Sequence, residues 1–184
     1  MTTYEKQLID MIEHDSYLLS VLRAVEKLNL TDSWVCAGLI RNKVWDKLHN
    51  TTTPVTDIDV IYFDPSDLSW EIEKELEKTL SCLLPNQPWT VKNQARMHSK
   101  SGFDPFTSSY DSVAHFPETP TAIAIRFYHK KLEIMAPYGL NDLFEMKVEP
   151  TPFYQQGSKF HSIYIDRIQT KKWKDCWENL SIAH

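Results

Sequence analysis

Asp57-Ile58-Asp59-Val60-Ile61-Tyr62-Phe63 is the stretch whose reading decides the fold of this chain. It is rich in β-branched and aromatic residues, which favours a strand. Thr51-Thr52-Thr53-Pro54 before it and Asp64-Pro65-Ser66 after it read as the loops that bound it. Successive strand side chains alternate between the two faces, so Asp57 and Asp59 point one way and Ile58 and Val60 the other. The apolar pair belongs to a core. The two carboxylates, with Cα atoms about 7 Å apart, converge on one site. Like charges held together are costly unless a cation neutralises them, and oxygen-only ligands suit Mg²⁺ or Mn²⁺. Spacing alone leaves a second reading open, an exposed strand with two solvated acids.

Upstream, Trp34-Val35-Cys36-Ala37 is a short apolar run suited to a buried strand. Gly38 follows, and a helix starts near Ile40 with Ile40, Val44 and Leu48 on its inner face. A helix start offers free backbone N–H groups and the positive end of the helix dipole, which suits a triphosphate. Gly38 lets that backbone approach a ligand. Arg41 and Asn42, in the first turns, can reach the same phosphates. Residues 4–30 read as helix, with stripes at Leu8, Met11, Ile12 and at Leu18, Leu22, Val25, and a capped break at Asp15-Ser16.

Downstream, Leu68, Ile72, Leu76 and Leu80 recur every four residues, predicting an amphipathic helix with Glu71, Glu73, Glu75 and Glu77 on a solvated face. Trp89–Asn93 reads as a strand, 99–108 as loop, and Ser109–Phe116 as a short helix. Thr121–Phe127 and Leu132–Ala136 form a strand pair around a turn at His129-Lys130-Lys131. Asn141-Asp142 caps a short helix, and 149–157 is connection. A last helix spans about 160–180, with Trp173, Trp177 and Leu180 at i, i+4, i+7. The order predicts one α/β (α+β) domain over residues 1–184, a mixed central sheet flanked by helices. The N-terminal helices (about 4–30) and the C-terminal helix pack on it.

Composition narrows the function classes. A net charge of -5 argues against broad, sequence-independent nucleic-acid binding. The three cysteines, Cys36, Cys82 and Cys176, form no CxxC pair, so neither a zinc site nor a disulfide framework is indicated. The seven histidines show no i,i+4 metal spacing, and no G-x-S-x-G occurs. The first residues lack a signal-peptide pattern and no stretch reaches the ~18 apolar residues of a membrane span, so the cytoplasm is the expected location. Lys92, Arg96 and His98 form a second polar cluster that reads either as phosphate or base contacts or as surface charge. Arg126 sits in an apolar run and needs an anionic partner. Arg167, Lys171, Lys172 and Lys174 read as a solvated helix face, with contact to RNA as the alternative.

The run Ala37-Gly38-Leu39-Ile40-Arg41-Asn42 with Val44-Trp45-Asp46, followed by Asp57-Ile58-Asp59-Val60, resembles the nucleotidyltransferase superfamily that includes DNA polymerase β and the tRNA CCA-adding enzymes. It looks closest to a bacterial branch of small nucleotidyltransferase-like proteins. Trp89–His98, Phe116–Thr119 and Ala136–Phe144 carry the same likeness, which covers roughly residues 34–178. The resemblance implies the nucleotidyltransferase fold and an Mg²⁺- or Mn²⁺-dependent transfer of NMP from an NTP to a hydroxyl acceptor. That acceptor is an RNA, a protein or a small molecule. It implies Asp57 and Asp59 as catalytic metal ligands, Gly38, Arg41 and Asn42 at the phosphates, and a share in nucleotide binding for Lys92 and Arg96. It also implies a third carboxylate on a later strand. Glu133, in Leu132-Glu133-Ile134, fits that form, with Glu118 and Asp111 as alternatives. Leu39 stands where the superfamily usually has Ser or Gly, and the interval from Gly38 to Asp57 is longer than in many members. These departures leave two rival expectations beside the enzyme: a catalytically silent nucleotide-binding or regulatory module, and a protein-interaction domain.

Overall fold

The computed structural model describes residues 1–129 and 131–184, apart from the side chains of Lys100 and Ser101. Two helices open the chain, α1 (Thr3–Glu13) and α2 (Ser16–Glu26). A capping box between Thr2 and Glu5 starts the first, and the Asp15 carboxylate accepts from the Leu18 N–H at the start of the second. The break falls where Asp15-Ser16 predicts it. Strand β1 (Trp34–Cys36) leads into α3 (Gly38–His49), which ends on a left-handed Asn50. Next come β2 (Ile58–Tyr62), α4 (Trp70–Leu83), β3 (Trp89–Asn93), α5 (His98–Ser101) and α6 (Ser109–Ala114). The hairpin strands β4 (Ala124–Tyr128) and β5 (Lys131–Met135), α7 (Asn141–Phe144), β6 (Lys147–Val148), α8 (His161–Lys171) and β7 (Ser181–Ile182) complete the chain. The hairpin turn itself contains Lys130, which lies outside the described residues.

The main sheet has the order β3-β2-β1-β4-β5. β2 and β3 run parallel, joined through α4, and the other neighbours are antiparallel. Residues paired across strands share a face. Val35, Val60 and Ile125 therefore lie together on one face, fully buried in the main core with Ile58, Leu22, Ile40 and Trp45. Asp59, Cys36, Ala124 and Met135 lie on the other face. There Trp34, Cys36, Ile61, Ala124 and Met135 pack under Val113 and Ala122 in a smaller second core. Asp59, on the same face, is only half-buried and lines an open cleft.

Several expectations need correction: β2 starts at Ile58, so Asp57 lies just before the strand, and α5 takes in the first residues of the expected 99–108 loop. Leu48 is 39% exposed and Leu68 51% exposed. α3 turns its Ile40, Val44 and Trp45 side inward, and Leu68 lies ahead of α4. The last helix ends at Lys171, because Lys172 takes a left-handed conformation (φ 47°). Trp173, Trp177 and Leu180 are buried as their spacing predicts, but on a folded-back segment whose Trp173 and Trp177 rings meet Trp45 edge-on at 6.0 and 5.2 Å. Glu73 is 1% exposed, not solvated. β3 is an edge strand, and α4 closes that edge: Val91 N–H donates to the Glu77 carboxylate and Asn93 N–H to Glu73. Among the described residues no helix is long and apolar enough to cross a membrane.

Candidate active site

The β1–β2 register builds the site. Cys36 lies opposite Asp59 in an antiparallel pair. Continuing that register by two residues in each direction sets Gly38 opposite Asp57. A side chain grown on Gly38 would lie 3.7 Å from Asp57 Oδ1 and 3.8 Å from Arg41 Nη2. The strand end, the helix start and the first aspartate thus meet. Gly38 itself keeps an ordinary φ. The strained residue is the one before it: Ala37 has φ 58° and ψ -123°, a conformation that L-residues rarely adopt. Its N–H is anchored on the Ile123 carbonyl at 3.0 Å. No side chain caps α3, so its first backbone N–H groups are left for another acceptor.

Asp57 and Asp59 line one cleft together with Gly38, Arg41, Asn42 and Thr56. Thr56 Oγ1 donates to Asp57 Oδ1 at 3.1 Å. Asp59 accepts no hydrogen bond from a protein donor among the described residues. Burial, and then the Asp57 charge, push its carboxyl up to about 6, against the pull of Lys171, Arg167 and Arg41. Cys36, fully buried beside the two aspartates, has its thiol raised by burial and by their charges, so it stays a neutral core group.

Arg41 is 6% exposed. Its guanidinium lies 4.6 Å from the Trp173 ring centre and 5.1 Å from that of Trp45. Nη1 donates to Thr121 Oγ1 (2.7 Å) and Nη2 to Asn42 Oδ1 (3.0 Å), while Nε is buried without a partner. Burial pulls this arginine down to about 10. A desolvated cation bonded only to neutral groups at a cleft wall suits an anion.

Other predicted residues lie elsewhere. Glu133 would join the aspartates only if its strand lay beside β2, but β1 and β4 both stand between β2 and β5. Glu133 lies three strands from β2, roughly 14 Å at about 4.8 Å per strand. Its carboxylate is bound to Arg126 at 2.7 Å, and that guanidinium stacks on Trp34 and Tyr128. Arg126 has the anionic partner its apolar run demands, and Glu133 is that partner. Glu133→Gln is expected to cost about 1 kcal/mol or less, the pair being partly exposed, and to leave any Mn²⁺- or NTP-induced shift in melting temperature at the wild-type value. Lys92 and Arg96 do not enter the cleft either. Both bind Glu73, Arg96 through Nε (2.8 Å) and Nη2 (2.6 Å), Lys92 through Nζ (3.2 Å). Of the alternative third acids, Asp111 caps the Thr107 turn, and Glu118 is fully buried in an ion pair with Arg167.

The cleft contains residues that the sequence reading left out: Thr121, Arg167 and Lys171, with Trp173 and Trp177 behind them. The i,i+4 spacing of Arg167 and Lys171 was legible, but not the cleft they turn toward. Among the described residues no group of three or more His, Cys, Asp and Glu side chains is placed to hold a metal ion. The two aspartates still fit Mg²⁺ or Mn²⁺. Mg²⁺ commonly takes one or two protein carboxylates and completes its shell with water and substrate phosphates. Burial first, and the Asp57 charge after it, raise the Asp59 carboxyl, and a bound cation would offset the second of these.

A mixed sheet that sets Asp59 on β2, with Asp57 just before it, against an uncapped glycine-led helix start defines a domain of the nucleotidyl-transfer class. Comparison with known families agrees: residues 23–182 match the nucleotidyltransferase family, and the chain belongs to it. It is similar over 97% of its length to a protein whose NMR structure reveals a CCA-adding enzyme head domain. That match has 33% identity, 95% coverage of the other chain and a TM-score of 0.86. CCA-adding enzyme in complex with CTP (15% identity, TM-score 0.56) and with ATP (14% identity, TM-score 0.59) shares the fold. This chain covers 98% and 97% of itself in those matches and spans only 43% and 42% of those enzymes. No curated protein matched the chain.

Proposed function

We propose that this chain transfers a nucleotidyl group from an NTP to an acceptor hydroxyl, with Asp57 and Asp59 as the ligands of Mg²⁺ or Mn²⁺. The observation that carries the reading is the meeting of Asp57, Asp59, Gly38 and Arg41 in one cleft. The metal, when bound, neutralises charge on the reacting phosphate oxygens. The chain's own part is positioning. The backbone N–H groups at the α3 start and the Arg41 guanidinium orient the β- and γ-phosphates, with Asn42 steadying Arg41. The acceptor oxygen bonds to the α-phosphorus, the bond from that phosphorus to the bridging oxygen breaks, and pyrophosphate leaves. One carboxylate of the pair takes the hydroxyl proton. The CTP and ATP complexes of the structurally similar enzymes support an NTP as the donor. The reaction asks of the acceptor only a hydroxyl, so RNA, protein and small-molecule acceptors all satisfy it.

A second reading, a nucleotide-binding module that does not turn over, is favoured by one feature. Leu39, next to Gly38, is 4% exposed and supplies no hydroxyl to a phosphate. A screen of the four NTPs with Mg²⁺ or Mn²⁺ separates the two. Transfer predicts metal-dependent thermal stabilisation together with pyrophosphate release in the presence of an acceptor pool. Stabilisation without pyrophosphate supports the second reading, and neither effect leaves a protein-interaction domain.

A further inference from the structure

The cleft is lined also by residues of α8. Arg167 and Lys171 lie one turn apart on α8, so their side chains leave the same helix face. Both line the same cleft as Gly38 and Arg41, and both act on the Asp59 charge. Lys171 is exposed and makes no hydrogen bond or ion pair among the described residues. Arg167 is aimed. Its Nε donates to Glu118 Oε1 at 2.5 Å and its Nη2 to Oε2 at 3.2 Å. Glu118 is wholly buried, its chain held by an Ala122 N–H bond to its carbonyl and by the bridge to Pro150. Arg167 is itself 32% exposed, and Nη1 takes no protein partner among the described residues. Arg41, Arg167 and Lys171 therefore line one opening; Glu118 pairs directly with Arg167 and also acts on Arg41, Asp57 and Asp59 carry the opposite charges of the cleft, and among the described residues Lys171 has no anion in contact. Lys172 and Lys174 follow Lys171 in sequence but do not line the cleft. Beyond the left-handed Lys172 it is Trp173 and Trp177, not the lysines, that line the cleft.

We propose that α8 is the polyphosphate-holding wall of the site: Arg167 Nη1 and Lys171 Nζ bind the phosphates of the donor nucleotide beyond the α-phosphate, and Glu118 is the positioning residue that aims Arg167. This rests on the nucleotidyl-transfer reading for its ligand, but its chemistry is that of a tripolyphosphate and can be tested alone. The probe is sodium tripolyphosphate in EDTA, titrated calorimetrically into the intact protein. Lys171→Gln, an exposed change that leaves the fold untouched, is expected to weaken binding about tenfold, the scale of one charge-assisted hydrogen bond. Arg167→Gln is expected to weaken it at least as much. Binding of Mn²⁺ alone is expected to be retained in both variants, since neither touches Asp57 or Asp59. Lys172→Gln and Lys174→Gln are expected to change tripolyphosphate affinity less than about twofold, as charges outside a built site are screened by solvent and salt. Equal losses from Lys171, Lys172 and Lys174 would mean a diffuse basic surface and overturn the proposal, as would an unchanged affinity in Lys171→Gln. If tripolyphosphate binds through Lys171 while no NTP is turned over, this inference stands and the transfer reading falls. If pyrophosphate is released from NTP but Lys171→Gln binds tripolyphosphate normally, the outcome is reversed.

Discussion

Changing Asp57 and Asp59 together to asparagine is expected to abolish nucleotidyl transfer, by at least about a thousandfold, and to remove Mn²⁺-dependent stabilisation while the protein stays folded. Removing the ligands of the proposed ion removes the charge it brings to the reacting phosphate, and electrostatic terms of this kind carry factors of about 10² to 10³ per group. The fold survives because Ile58 and Val60, on the opposite face, are fully buried and keep β2 in place. Metal-free stability should rise. The Asp59 carboxyl lies near 6 in the fold against an ordinary 3.8. Between those values the folded chain binds more protons than the unfolded one, so stability falls as pH rises through this window. At pH 7 the resulting loss of stability reaches at most about 3 kcal/mol, since each tenfold change in proton affinity is worth about 1.4 kcal/mol. Wild type without metal should thus lose stability from pH 4 to 7 relative to Asp59→Asn, and saturating Mn²⁺ should reverse the loss. Thermal melts of wild type, Asp59→Asn and the double variant across pH, with and without Mn²⁺, test all of this. A double variant that keeps the wild-type Mn²⁺ shift would place the ligands elsewhere.

What the chain's sequence reveals divides along the range of the interactions. The aspartate pair, the apolar β1, the glycine-led helix and the capped break at Asp15 are local patterns, and each has its place in the fold. The meeting of Gly38 with Asp57 follows from one antiparallel pairing between neighbouring segments. Glu133 was out of reach of such reasoning. Its alternation is as expected, with Leu132 and Ile134 packed toward the main core and Met135 in the second. Its distance from β2 depends on strand order, and the order β2-β1-β4-β5 is a property of non-local pairing that no spacing encodes. The same holds for Arg167 and Lys171. Their helix returns from the end of the chain to a cleft built some 110 to 130 residues earlier, and an exposed basic stripe looks alike whether it faces solvent or a ligand. Trp173 and Trp177 show the converse. Their helical spacing reflects burial, yet burial is achieved by a turn at Lys172, where packing against Trp45 outweighs the continuation of α8.

The edge of β3 gives the largest expected effect on stability, and it concerns residues whose pattern suggested a ligand site. Glu73 falls on the charged stripe of α4, but that stripe lies over the outer edge of the sheet. Its carboxylate receives Asn93 N–H at 2.8 Å, Arg96 Nε and Nη2, and Lys92 Nζ. Burial raises its carboxyl, but these donors, Arg96 foremost, outweigh burial and hold it below the ordinary 4.5. Glu73→Ala leaves two cations without their shared anion and an edge N–H without an acceptor. Removing one partner of a buried pair costs about 3–5 kcal/mol. Lys92 and Arg96 retain 30% and 19% exposure and can turn to water, so about 3 kcal/mol is expected here. For a chain of this size that is a fall of roughly 10 °C in melting temperature. Because the folded carboxyl lies below its unfolded value, its contribution is complete above pH 4.5 and is lost as pH falls through the lower folded value. The difference between wild type and Glu73→Ala should therefore shrink in acid, a trend that loss of packing alone would not give. Tripolyphosphate and Mn²⁺ binding, measured well below the melting temperature, should be unchanged, since Lys92 and Arg96 serve the sheet edge and not the cleft. A variant that melts within about 2 °C of wild type would return Glu73 to the solvated face that its helical spacing suggests, and a variant that melts normally but loses tripolyphosphate binding would return Lys92 and Arg96 to the nucleotide.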